Sequence, residues 1–236
     1  MVKAIIFDLD GTLINEDQID RGLVYVYKTN TNTFKGITQN KFIDANTKAF
    51  DSLLKMYKSR KILLSQFGIL IWYKTVKILN LPETPIVVNK LYRSLQKFII
   101  SRTIPLDGAV EVLSFIKKSG YKVGILSNGL FEERINKIKK TKLSKFIDVL
   151  VTTDIVGFDK PNKKPFKFIL DILNVKPDEA IFIGNSLTED IYGAKNAKIK
   201  AFWYSKLKEG EVDCRIYDLV ELIPIIRNMS NKLYGN

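Results

Sequence analysis

The sequence has no histidine and a single cysteine, Cys214. Without an imidazole, zinc sites of the histidine type, Ser-His-Asp triads and phosphohistidine chemistry are excluded. One cysteine allows no internal disulfide, which points to a reducing cytoplasm. Cys214 sits in "CRIYDLV", without an arginine at the spacing a cysteine-phosphatase loop requires. Acid–base chemistry therefore falls to carboxylates or lysines. Long apolar runs are lacking too. The nearest to a membrane span, Ile62 to Trp72, is short and carries Ser65 and Gln66. The apolar N-terminal run is broken by Asp8 and Asp10, so it reads as a strand rather than a signal peptide.

Acidic residues are also scarce, with 25 Asp and Glu against 38 Lys and Arg and a formal net charge of +13. Such a balance suits nucleic acid, a membrane surface or anionic metabolites, or is a lysine-rich solvated surface. The densest basic runs, "KKTK" at 139–142 and "KPNKK" at 160–164, form no arginine-rich stripe with interleaved aromatics. No specific nucleic-acid partner and no membrane partner are expected.

Two textures alternate along the 236 residues. Residues 1–14 and 104–236 read as strand, helix, strand, helix. The strands are "VKAIIFDLD", "KVGILSN", "FIDVLVTTD", "EAIFIG" and "KAFWYS". The helices between them are "GAVEVLSFIKKSG", "FEERINKIKKTKL", "NKKPFKFILDILN" and "TEDIYGAKNA". Short apolar strands separated by amphipathic helices predict an α/β fold, a doubly wound parallel sheet with helices on both faces. The tail "RIYDLVELIPIIRN" reads as a closing helix interrupted by Pro224. Residues 15–103 instead show helical spacing in "NKFIDANTKAFDSLLKMYKSR", "LLSQFGILIWYKTVKILN" and "VVNKLYRSLQKFIIS", with "LPETP" as a turn. This all-helical insert, following the first strand of an α/β domain, holds 15 basic and 6 acidic residues. Lys41, Lys48 and Lys55 read as a solvated face, and Trp72 and Tyr73 as core.

Ligands of open parallel sheets bind at the carboxyl ends of the strands. Those ends supply Asp8 and Asp10, then Ser127 and Asn128, then Lys160 in "GFDKPNKKPF", then Asn185 and Asp190 in "IGNSLTEDIYGAKNA". Two carboxylates, a hydroxyl, a lysine and further polar groups at one edge suit transfer of a dianionic phosphoryl group. Asp8 and Asp10 at i, i+2 could alternatively form an Asx turn before Gly11, although such a turn needs only one of them. An EF-hand loop is excluded because its glycine and terminal glutamate would fall in the wrong places.

With "DLDGT", "ILSN", "KP" followed by Phe166, and "GNSLTED" in order, the chain resembles the haloacid dehalogenase superfamily of hydrolases. The resemblance implies a Rossmann-like core in which the helical insert is a cap domain that closes over the site. It implies Asp8 as nucleophile, Asp10 as general acid/base, and Lys160 as the cation neutralising Asp8 and the phosphoryl group. Ser127, Asn128 and Thr12 would hold phosphate oxygens. Magnesium would be held by Asp8, Asp10 and position 185, with Asp190 orienting a metal-bound water or Lys160. The pattern usually has Asp where this chain has Asn185, which keeps a carbonyl oxygen and removes one negative charge.

The expected activity is a magnesium-dependent phosphatase acting on a small phosphorylated metabolite such as phosphoglycolate or a triose or sugar phosphate. A second carboxylate at Asp10 argues for phosphoryl transfer, in which a leaving alkoxide needs a proton, over dehalogenation, which needs none. A β-phosphoglucomutase-like phosphomutase, a 2-haloacid dehalogenase and a non-catalytic basic binding protein remain alternatives. A monomer or homodimer is expected, and Arg21, Lys28 and Arg60 are open as specificity contacts or plain surface.

Overall fold

The computed structural model describes residues 1–206 and 214–231. The remaining residues of the expected 104–236 segment, 207–213 and 232–236, lie outside the described ones. The chain divides into two compact units, Met1–Glu16 with Ile104–Asn236, and Asp17–Thr103.

The first strand, β1 (Ala4–Phe7), is short and buried along its whole length. Ile5 and Phe7 face one core cluster while Ala4 and Ile6 face another, the period-2 alternation of a strand covered on two faces.

The second unit follows, with α1 (Ile19–Thr29), α2 (Gln39–Lys58), α3 (Leu64–Ile78) and α4 (Pro85–Arg102). Thr38 caps α2 by accepting from the Lys41 backbone N–H at 3.3 Å, and Thr84 caps α4 in the same way through Val87. "LPETP" thus supplies the turn, the cap and, in Pro85, a first helical residue that needs no N–H. The core is aromatic: Phe42 lies 4.6 Å from Phe34 and 6.3 Å from Trp72 between ring centroids. Lys41, Lys48 and Lys55 are exposed, Trp72 is buried and Tyr73 packs partly buried beside it. Helix α1 has no counterpart among the segments the apolar spacing marks. "IDRGLVYVYKT" is rich in β-branched and aromatic residues of low helix propensity and contains Gly22. Burial of Leu23 and Val26 overrides that preference.

The first unit resumes with α5 (Ala109–Lys118), β2 (Lys122–Ser127), α6 (Phe131–Lys140), β3 (Val149–Thr152), α7 (Thr153–Val156), α8 (Lys163–Leu173), β4 (Ala180–Gly184), α9 (Gly193–Asn196), β5 (Lys200–Tyr204), β6 (Arg215–Ile216) and α10 (Leu222–Asn231). The strands form one parallel sheet in the order β3-β2-β1-β4-β5-β6. One face packs on α5 through Val112, Leu113 and Ile116 and on α10 through Leu222 and Ile226. The other packs on α8 through Phe166, Ile169 and Leu173. The strand order reverses at β1, so the loops after β1, β2 and β4 meet at one edge.

Two local expectations change. Arg215 and Ile216 do not begin the closing helix but pair with Trp203 and Tyr204 as an edge strand. Pro224 does not interrupt α10, because it is the third residue of that helix, where its missing N–H has no carbonyl partner to lose. Likewise "TEDIYGAKNA" does not run as one α-helix. It opens as a wide π-type turn over Leu187–Tyr192, with the Ile191 N–H on Ser186 O at 3.2 Å, before α9.

Candidate active site

The chain leaves β1 by continuing the ladder for one more residue, with the Asp8 N–H on Ile183 O at 2.8 Å, and then turns. The N–H groups of Leu13 and Ile14 both return to Leu9 O, at 2.9 and 3.1 Å. Gly11 makes this turn possible at φ +78°, where a Cβ would also lie 2.3 Å from Asn185 Nδ2. Leu9 is fully buried in the core, so Asp8 and Asp10 stand on the opposite side of the loop from it.

Lys160 is the centre of the charge network. Its ammonium lies 2.7 Å from Asp8 Oδ1, 2.6 Å from Asp190 Oδ1 and 3.2 Å from the Leu126 carbonyl, and it is only 4% exposed. A buried lysine is tolerable only with such partners. Burial works against its charge, but Asp190 and Asp8 more than compensate and raise it above the ordinary lysine value. Burial pushes the Asp8 carboxyl up to about 6, with Lys160 pulling the other way and Asp190 adding to the rise. Asp190 is fixed in turn by the Ser186 N–H at 2.9 Å, and the π-type turn carries it inward.

Asp10 has its own cations, which the sequence did not single out. Burial alone would raise its carboxyl, but Arg134 and Lys137 outweigh burial and hold it below the ordinary carboxylate value. Lys137 donates to Asp10 Oδ1 at 2.5 Å, and Arg134 Nε lies 3.0 Å from Asp10 Oδ2. Both residues are buried and stand three apart on α6, hence on one face. Arg134 also donates from Nε to Ser127 Oγ at 3.0 Å and from Nη2 to the Asn128 carbonyl at 2.7 Å. That approach requires Gly129, at φ +115°, where a Cβ would lie 2.6 Å from Nη2. The two adjacent carboxylates thus have separate protein counter-charges, Lys160 for Asp8 and the α6 pair for Asp10.

Asn128 does more than start a loop. Its side chain accepts from the Lys160 backbone N–H at 2.8 Å and donates to Glu189 at 3.1 Å, tying the β2, β3 and β4 loops together. Thr12 is fully buried with its hydroxyl 3.3 Å from Asp8 Oδ2 and 3.4 Å from Asn185 Oδ1. One hydroxyl proton serves one of those oxygens at a time, so two oxygens converge there with acceptor capacity to spare. Among the described residues no group of three or more His, Cys, Asp or Glu side chains converges as a metal site. The donors present at this point are all hard oxygens, without nitrogen or sulfur, and fit a magnesium-type dication. The Asn185 amide nitrogen is turned away, 3.5 Å from Glu16 Oε1, and its backbone carbonyl accepts from Trp203 Nε1 at 2.9 Å.

The haloacid dehalogenase-like hydrolase model matches residues 2–198. The glyceraldehyde 3-phosphate phosphatase of Pyrococcus furiosus is 32% identical over 224 residues, covering 94% of this chain and 88% of that one. The pyrophosphatase PpaX of Bacillus thuringiensis is 27% identical over 242 residues, covering 97% and 98%. Among solved structures, the HAD-hydrolase YfnB of Bacillus subtilis bound to magnesium superposes with a TM-score of 0.70 at 18% identity, covering 95% and 98%. That last likeness is one of fold.

Proposed function

The chain belongs to the haloacid dehalogenase-like hydrolase family and is a phosphatase, and on that premise we propose how it works and on what. It hydrolyses a small phosphorylated metabolite with magnesium as cofactor and through an aspartyl-phosphate on Asp8. The observation that carries this reading is the buried Lys160 ammonium between Asp8 and Asp190, at 2.7 and 2.6 Å. A permanently charged cation beside a nucleophilic carboxylate serves a reaction that brings a dianion to that carboxylate.

In the first half, an Asp8 carboxylate oxygen attacks phosphorus, the bond from phosphorus to the leaving oxygen breaks, and Asp10 gives that oxygen its proton. In the second half, water attacks phosphorus and passes a proton to Asp10. The bond from phosphorus to Asp8 breaks, which releases phosphate and restores both carboxyl groups. Lys160 meets the charge on Asp8 and the phosphoryl oxygens, while Ser127 Oγ and the Asn128 backbone N–H donate to those oxygens. Asp8, the Asp10 carbonyl and Asn185 would hold magnesium, which when bound would neutralise further phosphoryl charge. The relatives' names span a triose phosphate and pyrophosphate, so both belong in the substrate set together with phosphoglycolate and sugar phosphates.

A screen of these compounds for phosphate release, with and without magnesium, tests the reading. Release that needs the metal and is lost in the nearly isosteric Asp8→Asn supports it. Full activity in EDTA, or activity retained by Asp8→Asn, contradicts it. Halide release from a 2-haloacid would favour the dehalogenase alternative, and nanomolar duplex DNA binding at physiological salt the binding protein.

A further inference from the structure

Position 185 carries an amide where the family pattern has a carboxylate, and a side chain outside every motif stands behind it. The ladder between β4 and β5 ends at the pair Gly184 and Trp203. The next carbonyl, Asn185 O, accepts from the Trp203 indole N–H at 2.9 Å. Trp203 is buried, and its ring is itself held in place. Pairing of β5 with β6 sets Arg215 beside it, the guanidinium 4.7 Å from the indole and 4.7 Å from the Tyr217 ring. Arg215 Nη2 is buried with no acceptor among the described residues. A guanidinium short of an acceptor is costly, and two ring faces offset part of that cost. From the opposite side Asp190 grips the same turn. It accepts from the Ser186 N–H at 2.9 Å and packs on Gly184, where a Cβ would lie 2.4 Å from its carboxyl. The backbone around Asn185 is therefore fixed at short distances. Its side chain has longer contacts, to Thr12 at 3.4 Å and Glu16 at 3.5 Å, so its placement is set mainly through the backbone.

We propose that Trp203 is a positioning residue for the metal: its indole N–H, backed by Arg215 from β6, fixes the Asn185 backbone so that the amide oxygen is presented to the cation. This rests on the reading of Asn185 as a magnesium ligand. A neutral amide oxygen attracts a hard dication less than a carboxylate does, so more of the affinity must come from geometry set in advance. An indole suits that task, being a rigid ring with a single donor. The role also accounts for β6. A strand of two residues adds little pairing of its own, and its register seats Arg215 against the indole.

Metal binding without turnover tests this role. Free manganese(II), counted by electron paramagnetic resonance, and its displacement by magnesium give the affinity of the substrate-free protein. Trp203→Phe keeps a ring for Arg215 to stack on and removes the donor. It should raise the dissociation constant for both ions about tenfold, the low end of what partners behind a ligand contribute. Arg215→Ala keeps the donor and removes its backing. It serves if the Phe variant does not fold, and should raise the constant about threefold. In an Asn185→Ala background, adding Trp203→Phe should change the affinity by less than about twofold, because the residue it positions no longer ligates. A general loosening of the sheet end would weaken both backgrounds alike, and that result overturns the proposal. Wild-type affinity in Trp203→Phe overturns it as well. Asn185→Ala alone is the control on the underlying reading. If it binds both ions as tightly as wild type, position 185 is not a ligand. If it binds them more weakly while neither Trp203→Phe nor Arg215→Ala does, only the positioning role fails.

Discussion

The helical unit and the α/β unit carry charge in opposite ways. The helical unit, Asp17–Thr103, holds 15 basic and 5 acidic residues, yet its buried polar side chains are Asn30, Asn46, Thr75 and Thr103, none of them charged. Its core is a set of aromatic rings, and Asn46 links α2 to α3 by a neutral hydrogen bond to Thr75 at 3.1 Å. The α/β unit has the smaller net charge and buries Asp8, Arg134, Lys137, Lys160 and Asp190. Net charge therefore points to the wrong half of the molecule. Burying a charge costs several kcal/mol unless it is paired, and it persists where chemistry uses it.

The sharpest way to break this contrast is to remove a buried cation. Lys160→Met leaves Asp8 and Asp190 facing each other, and should cost about 3–5 kcal/mol of stability in urea titration. Activity of the folded variant should fall by about 10²–10³-fold. A stability change under about 1 kcal/mol would mean the network is solvated rather than buried.

The pH profile probes the same carboxylate without a mutation. Asp8 is raised to about 6 because burial favours its neutral form. Asp8, the proposed nucleophile, therefore loses its charge as pH falls through that value, and kcat/KM should drop about tenfold per unit below it. Raising magnesium favours the charged form and should move this acid limb to lower pH; an acid limb indifferent to the metal would detach Asp8 from the metal site.

Asn185→Asp returns the missing negative charge, and should lower the magnesium concentration for half-maximal rate by about tenfold. Equal titrations of the two proteins would show that position 185 does not ligate the metal. The smallest effect belongs to the other unit. Lys48 and Asp44 form an exposed i, i+4 pair at 2.8 Å, and Lys48→Met should change stability by no more than about 0.5 kcal/mol with kcat/KM untouched.

Much of this was legible in the residues. Apolar strands ending in Asp8, Ser127 and Gly184 announce a parallel sheet, and a sheet of that kind brings its carboxyl ends together whatever the helices do. Lys160 stands out through its place before Pro161 and Phe166. Arg134 and Lys137 do not, because "FEERINKIKKTKL" is an evenly charged helix in which Lys139 and Lys140 are exposed and Lys137 is not. Which lysine is buried depends on a contact with Asp10, 127 positions earlier in the chain. The available signal was their i, i+3 spacing on the helix directly after the Ser127–Asn128 strand end. Helix α1 and strand β6 escaped for a related reason: each is held by packing or pairing partners distant in sequence, against weak local preference.

The central claim is that Asp8 forms the covalent bond to phosphorus. Acid quench of the enzyme during turnover, followed by peptide mass spectrometry, tests it directly. The account predicts a phosphoryl adduct on the peptide containing Asp8, accumulating when Asp10→Asn slows its hydrolysis and missing in Asp8→Asn. Phosphate release with no adduct in either protein, or an adduct on any other residue, would contradict it.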